Sequence, residues 1–227
     1  MNLKIFYHAV NLPGYDLIIR DRLRKLNDSG LLDNAELYLC MEKDSKYVLE
    51  DLNPNIKLIH FDGTAEECEH PTIIFMKQMC SNSEEPFYAL YLHQKGITAR
   101  NDILNIRMTH WRMLMDYWCI ENWKHCVKKL IEGYNMVGCN FSENPINHFS
   151  GNQYWATSEF ISTWPTLQYP SSVGFKPQIE SPFESYRYDV EFLYGRCPDL
   201  KPYSMYNSNI DHYKQDYPES LYRNTIL

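Results

Sequence analysis

The sequence predicts an α/β fold in which helices flank a mostly parallel central sheet. Three observations carry that expectation. Strand-length apolar runs alternate with segments of helical period, and those runs stop abruptly in polar loops. The 227 residues, 44% of them apolar, suffice for one ordinary domain that buries roughly 70% of the surface its unfolded form exposes. Disordered and collagen-like classes are excluded by the same composition.

Taken in order, Leu3 to Ala9 (LKIFYHA) is a short apolar run that reads as the first strand. Pro13 to Gly30 has apolar residues at Tyr15, Ile19, Leu23 and Leu26, a helical spacing with Gly30 as its stop. Glu36 to Met41 (ELYLCM) and Ile56 to Phe61 (IKLIHF) are of strand length and are separated by the turn-like Asn53-Pro54-Asn55. Pro71 to Cys80 reads as a helix, and Phe87 to His93 (FYALYLH) as a strand buried on both faces that ends at Gln94-Lys95-Gly96. Leu104, Met108, Trp111, Met115 and Trp118, continued by Trp123, Val127, Leu130 and Ile131, predict one long helix ending at Gly133. Tyr134 to Cys139 reads as a strand, Gln153 to Thr157 as a short strand, and Pro182 to Tyr194 as a last helix. There is no repeat and no linker, so residues 1–227 read as one domain, with 201–227 as an irregular tail.

Lys plus Arg number 22 and Asp plus Glu 29, for a formal charge of −7 with no dense basic run, which argues against a nucleic-acid partner. The longest apolar candidate, Trp111 to Cys126, is interrupted by Arg112, Asp116, Glu121, Lys124 and His125, so no membrane span is expected. The N-terminal segment turns polar too early for a secretory signal, and the expected location is cytoplasmic. Seven cysteines without a CxxC pair read as reduced and mostly structural. Aromatics are abundant, at 5 Trp, 18 Tyr and 10 Phe, and the tyrosines concentrate after position 130. Such side chains suit either an ordinary core and surface or a groove for a partly polar ligand such as a sugar ring.

In an open parallel sheet a ligand sits beyond the carboxyl ends of the strands, so His8 to Asn11, His93 to Gly96 and the segment from Asn140 onward should converge. There Lys95 offers a point charge for a phosphate, His93 a donor or switchable acid, and Gly96 room for close backbone approach, although a solvated turn fits the same residues. Asn147 to Ala156 (NHFSGNQYWA) sets Asn, Ser and His groups that could read hydroxyls beside Tyr154 and Trp155, which could pack on a ring face. Arg187 and Glu191 are four residues apart, matching either a surface ion pair or, with Asp189, a carboxylate aimed at a reacting centre. GxGxxG, P-loop and GxSxG motifs are absent. Cys139 and His148 are not brought together by spacing, and Cys139 reads as an inert strand-end thiol. The run EECEH, Glu66 to His70, with the nearby His60, reads as a solvated loop rather than a metal site.

Together YHA, RLRKLNDSGLLDNAELYL, YLHQKG, HWRMLMDYW, YNMVGCN and HFSGNQYWA occur in the order seen in a family of glycosyltransferases from bacterial polysaccharide clusters and some large DNA viruses, which this chain resembles from about Leu3 to Glu191. HFSGN with its paired aromatic is the most specific element. The resemblance implies a GT-A-like domain that moves a sugar, UDP-linked by preference, from a nucleotide-sugar donor to a glycan or glycoprotein acceptor. It implies donor contacts from Tyr7, His8, Ala9, His93, Lys95, Gly96, Asn140, Ser150, Gly151 and Asn152, and acceptor contacts from Tyr154, Trp155 and Arg187. Catalytic roles would fall to His148, Asp189 and Glu191, either carboxylate taking the acceptor proton if the enzyme inverts.

The Asp-x-Asp pair that holds a divalent cation in GT-A enzymes is missing. A role for Mn²⁺ or Mg²⁺ stays open, with Asp102, Asp211 and His212 as the ligands to examine. The sequence leans instead toward Lys95, His93, Arg100 or Arg107 meeting the charge of the leaving diphosphate. The alternative function is a catalytically inert carbohydrate- or nucleotide-sugar-binding module.

Overall fold

The computed structural model describes residues 2–43, 54–62, 67–99, 101–170 and 186–224. Its centre is a seven-stranded sheet. The strands in chain order are β1 (Leu3–Ala9), β2 (Ala35–Glu42), β3 (Ile56–Phe61), β4 (Tyr88–His93), β5 (Met136–Cys139), β8 (Tyr154–Thr157) and β9 (Pro202–Tyr206), with a separate hairpin of β6 (Phe141–Ser142) and β7 (His148–Phe149). The spatial order is β3-β2-β1-β4-β8-β5-β9. Within this sheet β8 runs antiparallel to both its neighbours and every other pairing is parallel. The fold is therefore α/β with a mostly parallel sheet flanked by helices.

Side-chain alternation along the strands divides the core into two layers. Ile5, Tyr7 and Ala9 of β1, Leu37 and Leu39 of β2, Leu90 and Leu92 of β4 and Trp155 of β8 meet α1 (Tyr15–Asp28) and α4 (Trp123–Ile131). Phe6, Tyr38, Tyr91 and Tyr154 point the other way, toward α2 (His70–Ser81), α5 (Ser158–Ser162) and α6 (Arg187–Phe192). Local signals set the helix limits. Asn101 caps α3 (Asp102–Asp116) by accepting the Leu104 N–H at 2.9 Å, and Thr157 caps α5 from the end of β8. Gly30, at φ +69, turns the chain out of α1.

Two sequence expectations are corrected here. The single long helix from Leu104 to Gly133 is α3 and α4 joined by a π-helical turn at Tyr117–Glu121. The Asn122 N–H bonds the Tyr117 carbonyl, and the displaced Cys119 carbonyl accepts the Trp155 indole N–H at 2.8 Å. The π turn thus exchanges one ladder bond for an anchor on the sheet. The tail from Lys201 is not irregular throughout: it supplies β9, and its Tyr206, Tyr217 and Tyr222 pack around Trp118 of the π turn. No helix among the described residues is long and apolar enough to cross a membrane. All seven cysteines are free thiols, five of them buried.

Candidate functional site

Because β1, β4, β5 and β9 run the same way, the loops that follow them gather at one edge of the sheet. His8 and His93 are register partners there, at the ends of β1 and β4. Their rings lie on the α2 side of the sheet, and both are buried.

His93 has both ring nitrogens engaged. Nδ1 is 2.9 Å from the Glu69 carboxylate and Nε2 is 2.8 Å from the Gly151 carbonyl. The Glu69 carboxylate and the Gly151 carbonyl thus each hold one edge of the imidazole. Burial acts to raise the Glu69 pKa, but the hydrogen bond from His93 and the charges of His93, His8 and Arg187 outweigh it and hold the carboxyl well below the usual range. His8 donates or accepts through Nδ1 at 2.8 Å from the Thr72 hydroxyl, while its buried Nε2 has no hydrogen-bond partner. Burial, reinforced by His93 and His70 and opposed by Glu69, pushes the His8 pKa down to about 4. The EECEH run is therefore not a solvated loop: Glu67, Glu69 and His70 are buried at the start of α2 and Cys68 is half-buried, while Glu66 lies outside the described residues. Glu69 is the site residue that sequence reasoning missed. The available signal was an acidic residue at the N-terminus of an apolar helix, aimed at strand ends.

From the other face, the fully buried Arg22 of α1 donates Nη1 to the His93 carbonyl and Nη2 to Gln153 Oε1 at 2.8 Å. Asp116, also fully buried, accepts from Arg22 at 3.0 Å and from Lys25 at 3.1 Å. The Arg22 guanidinium lies 5.4 Å from the Tyr7 ring. The end of β4 is thus gripped from both sides. Tyr7 and Ala9 face this core layer, so of the three β1 residues expected at the donor only His8 presents its side chain to the site.

Lys95 follows directly. Its residue is buried, and Nζ lies 4.2 Å from the Trp111 ring centroid and 5.7 Å from that of Tyr213. No carboxylate among the described residues lies within ion-pair distance of it. Gly96, at φ +88, lets the loop lie on α3, where an added Cβ would sit 2.4 Å from the Met108 Cβ. The Gln94 side chain bonds the Val10 N–H at 2.8 Å and the Tyr15 carbonyl at 3.1 Å, and Arg112 bonds the Lys95 carbonyl at 2.8 Å. His8, Glu69, Lys95, Gly96, Thr98 and Arg187 line a cavity of about 130 Å³. Arg187, expected at the acceptor, lines this cavity instead; burial opposes its charge, but Glu69 and Glu191 outweigh that and raise its pKa. Arg107 is bonded to Asp216 and the Tyr213 carbonyl, away from it. Arg100 lies outside the described residues.

A second cavity of about 490 Å³ lies beside the first, with Trp111, on which Lys95 stacks, in its wall. Asn140, at φ +54, ends β5 and accepts from the Ser208 N–H at 2.7 Å and hydroxyl at 3.0 Å through Oδ1. Its Nδ2 is 3.2 Å from His212 Nε2, which is also 2.8 Å from Ser208 Oγ. Asn140, His148, Ser150 and the tail residues Ser208 and His212 all line this cavity. His212 stacks on Trp111 at 4.9 Å. Burial, opposed by Asp211 and aided by Lys95, pushes its pKa down to about 4.

Several expected ligand contacts are engaged with the protein itself or lie outside both cavities. Gly151, at φ +92, leaves no room for a Cβ, which would sit 2.5 Å from the Met115 sulfur, and presents its carbonyl to His93. Asn152 is buried and lines neither cavity. Tyr154 and Trp155 are fully buried strand residues, packed on Tyr91, Tyr194 and Trp164 and on Cys119, so neither has a free ring face for a sugar. His93 is the partner of Glu69 rather than a free donor. Asp189 is buried beside His70, whose charge it favours against the larger effect of burial, and neither Asp189 nor Glu191 lines either cavity. Of the predicted helix Pro182 to Tyr194, the part before Tyr186 lies outside the described residues. Cys139 packs with Trp118 and Tyr222 rather than with His148. No three His, Cys, Asp or Glu side chains among the described residues come together as a metal-binding group. Asp102 sits in the exposed first turn of α3, and Asp211 is paired with Lys214.

Comparison of the sequence with curated proteins gives no match. Among solved structures, the chain is similar to a 4-diphosphocytidyl-2C-methyl-D-erythritol synthase from Anaerococcus prevotii DSM 20548, at 9% identity and a TM-score of 0.45, over 95% of this chain and 92% of that one. Residues 16–215 match the family described as "Domain of unknown function (DUF8361)", and the chain belongs to that family.

Proposed function

We propose that this chain is a glycosyltransferase that takes a sugar from a nucleotide donor, UDP-linked by preference, and that the first cavity receives the donor diphosphate. The observation that carries the reading is Lys95: a buried ammonium at the carboxyl end of a parallel strand, held over Trp111 with no carboxylate partner among the described residues. A buried cation without a counter-charge is costly, and an anionic ligand removes that cost. In a transfer reaction the same ammonium meets the charge that develops on the departing diphosphate. Arg187 lines the same cavity and adds a second cation, while Glu69 is matched by His93. Motif order, from YHA through HQKG to HFSGN, supports the same assignment.

The test is isothermal calorimetry with UDP, GDP, dTDP and their sugars, each in EDTA and in Mn²⁺, followed by assay of nucleoside diphosphate release. We expect selective nucleotide binding, and Lys95→Met to weaken it by about 10- to 100-fold, as for one lost charge-assisted contact. Absence of binding to every nucleotide would refute the donor site. Binding without turnover against any acceptor would favour the inert module.

A further inference from the structure

We infer that the second cavity is the acceptor site, that it selects a neutral, hydroxyl-rich glycan, and that His148 takes the proton from the attacking hydroxyl; this rests on the transferase reading above. Its volume of about 490 Å³ is that of a small-molecule site. No Lys or Arg side chain lines it, and its one carboxylate, Asp211, is occupied by Lys214 and the Tyr213 N–H. An acidic acceptor would find no counter-charge in this lining. Amide and hydroxyl groups of Ser142, Asn144, Ser150 and Asn209 offer the donors and acceptors that sugar hydroxyls need. Tyr213 stands edge-on to Trp111 and is 54% exposed, leaving a ring face that buried Tyr154 and Trp155 lack. Two side chains in the wall, Trp111 and His212, are more than nine-tenths buried and keep Nε1 and Nδ1 without hydrogen-bond partners.

His148 is oriented for proton removal. Its Nδ1 lies 2.8 Å from the Ile146 carbonyl, an acceptor, so Nδ1 carries the proton and Nε2 keeps its lone pair. Nε2 has no hydrogen-bond partner among the described residues, and the ring is held edge-on against Phe192 at 5.1 Å. Asp211, His212 and Tyr213 of the tail line the same cavity as His148. In the reaction the acceptor oxygen attacks the anomeric carbon as its proton passes to His148 Nε2. The bond from that carbon to the diphosphate oxygen breaks, and its electron pair leaves on the diphosphate facing Lys95.

The test combines a glycan microarray, probed with the full chain in saturating UDP, with kinetics of transfer. Neutral oligosaccharides should be captured at least tenfold better than sialylated or sulfated ones. Ile210→Trp, which narrows the cavity, and Tyr213→Ala, which removes its platform, should each lower capture at least tenfold. Preference for acidic glycans, or capture indifferent to both substitutions, would overturn the acceptor assignment. His148→Gln should lower kcat by about 10²- to 10⁴-fold with donor affinity unchanged; an intact kcat would overturn its role. Calorimetry on the same wild-type sample separates the two readings: lost UDP binding refutes the donor site, whereas intact UDP binding with no neutral glycan captured refutes this inference alone.

Discussion

His93 and Glu69 form a buried pair, 2.9 Å apart, in which a strand end and a helix start share one charge-assisted bond while the Gly151 carbonyl closes the other side of the imidazole. Three distant segments are fixed by that single ring. Truncating one member of a buried, charge-assisted pair costs about 3–5 kcal/mol. Glu69→Ala should therefore lower the melting temperature by roughly 6–20 °C for a chain of this size, measured by calorimetry at pH 7. An unchanged melting temperature would show that the pair is dispensable.

Acid should destabilise the fold before the ordinary carboxylate range is reached. The His8 pKa falls from 6.5 to about 4 on folding, chiefly through burial. Between those values the unfolded chain binds a proton that the native state does not, so stability is full above pH 6.5 and declines as the pH drops toward 4. The His8 share is about 3 kcal/mol at most. His212 acts in the same window, and Glu69 adds a loss at lower pH as the unfolded carboxyl protonates first. Urea unfolding from pH 7.5 to 4.5 should show this decline, and His8→Gln should flatten it without abolishing it. An equal slope in the variant would contradict the assignment.

Gly96 is fixed by both backbone and space. At φ +88, with a Cβ placed 2.4 Å from Met108, Gly96→Ala must lift the loop off α3 and move Lys95 away from Trp111. We expect at least a tenfold loss of nucleotide affinity and a destabilisation of about 1–3 kcal/mol. Met108→Gly in the same chain should recover part of the affinity, because it removes the Cβ and Cγ that stand in the way. No recovery would leave backbone strain as the whole effect.

Trp155 separates packing from binding. It is fully buried and its indole N–H holds the π-turn carbonyl of Cys119. Trp155→Ala should cost about 3–5 kcal/mol, and Trp155→Phe less, with glycan and nucleotide affinities of the folded variant unchanged. A selective loss of glycan binding in a stable Trp155→Phe protein would return this residue to the acceptor site.

The sequence by itself determined the alternation of strands and helices, because period and apolar run length are local properties that the strands Leu3–Ala9 and Ile56–Phe61 and the helix Tyr15–Asp28 carry in their own residues. It also placed His8, Lys95 and Asn140 at strand ends, and hence at one edge of a parallel sheet. Only the tertiary structure decided which polar groups meet. Glu69 faces His93 across a separation of 24 positions, and Arg22 reaches Asp116 across 94, pairings for which spacing carries no signal. The same holds for Tyr154 and Trp155: an aromatic pair reads alike whether it faces solvent or core, and it is the placement of β8 between β4 and β5 that buries both. The tail looked irregular because β9 has little alternation of its own. It becomes a strand by pairing with β5, and that pairing carries His212 and Tyr213 to the second cavity.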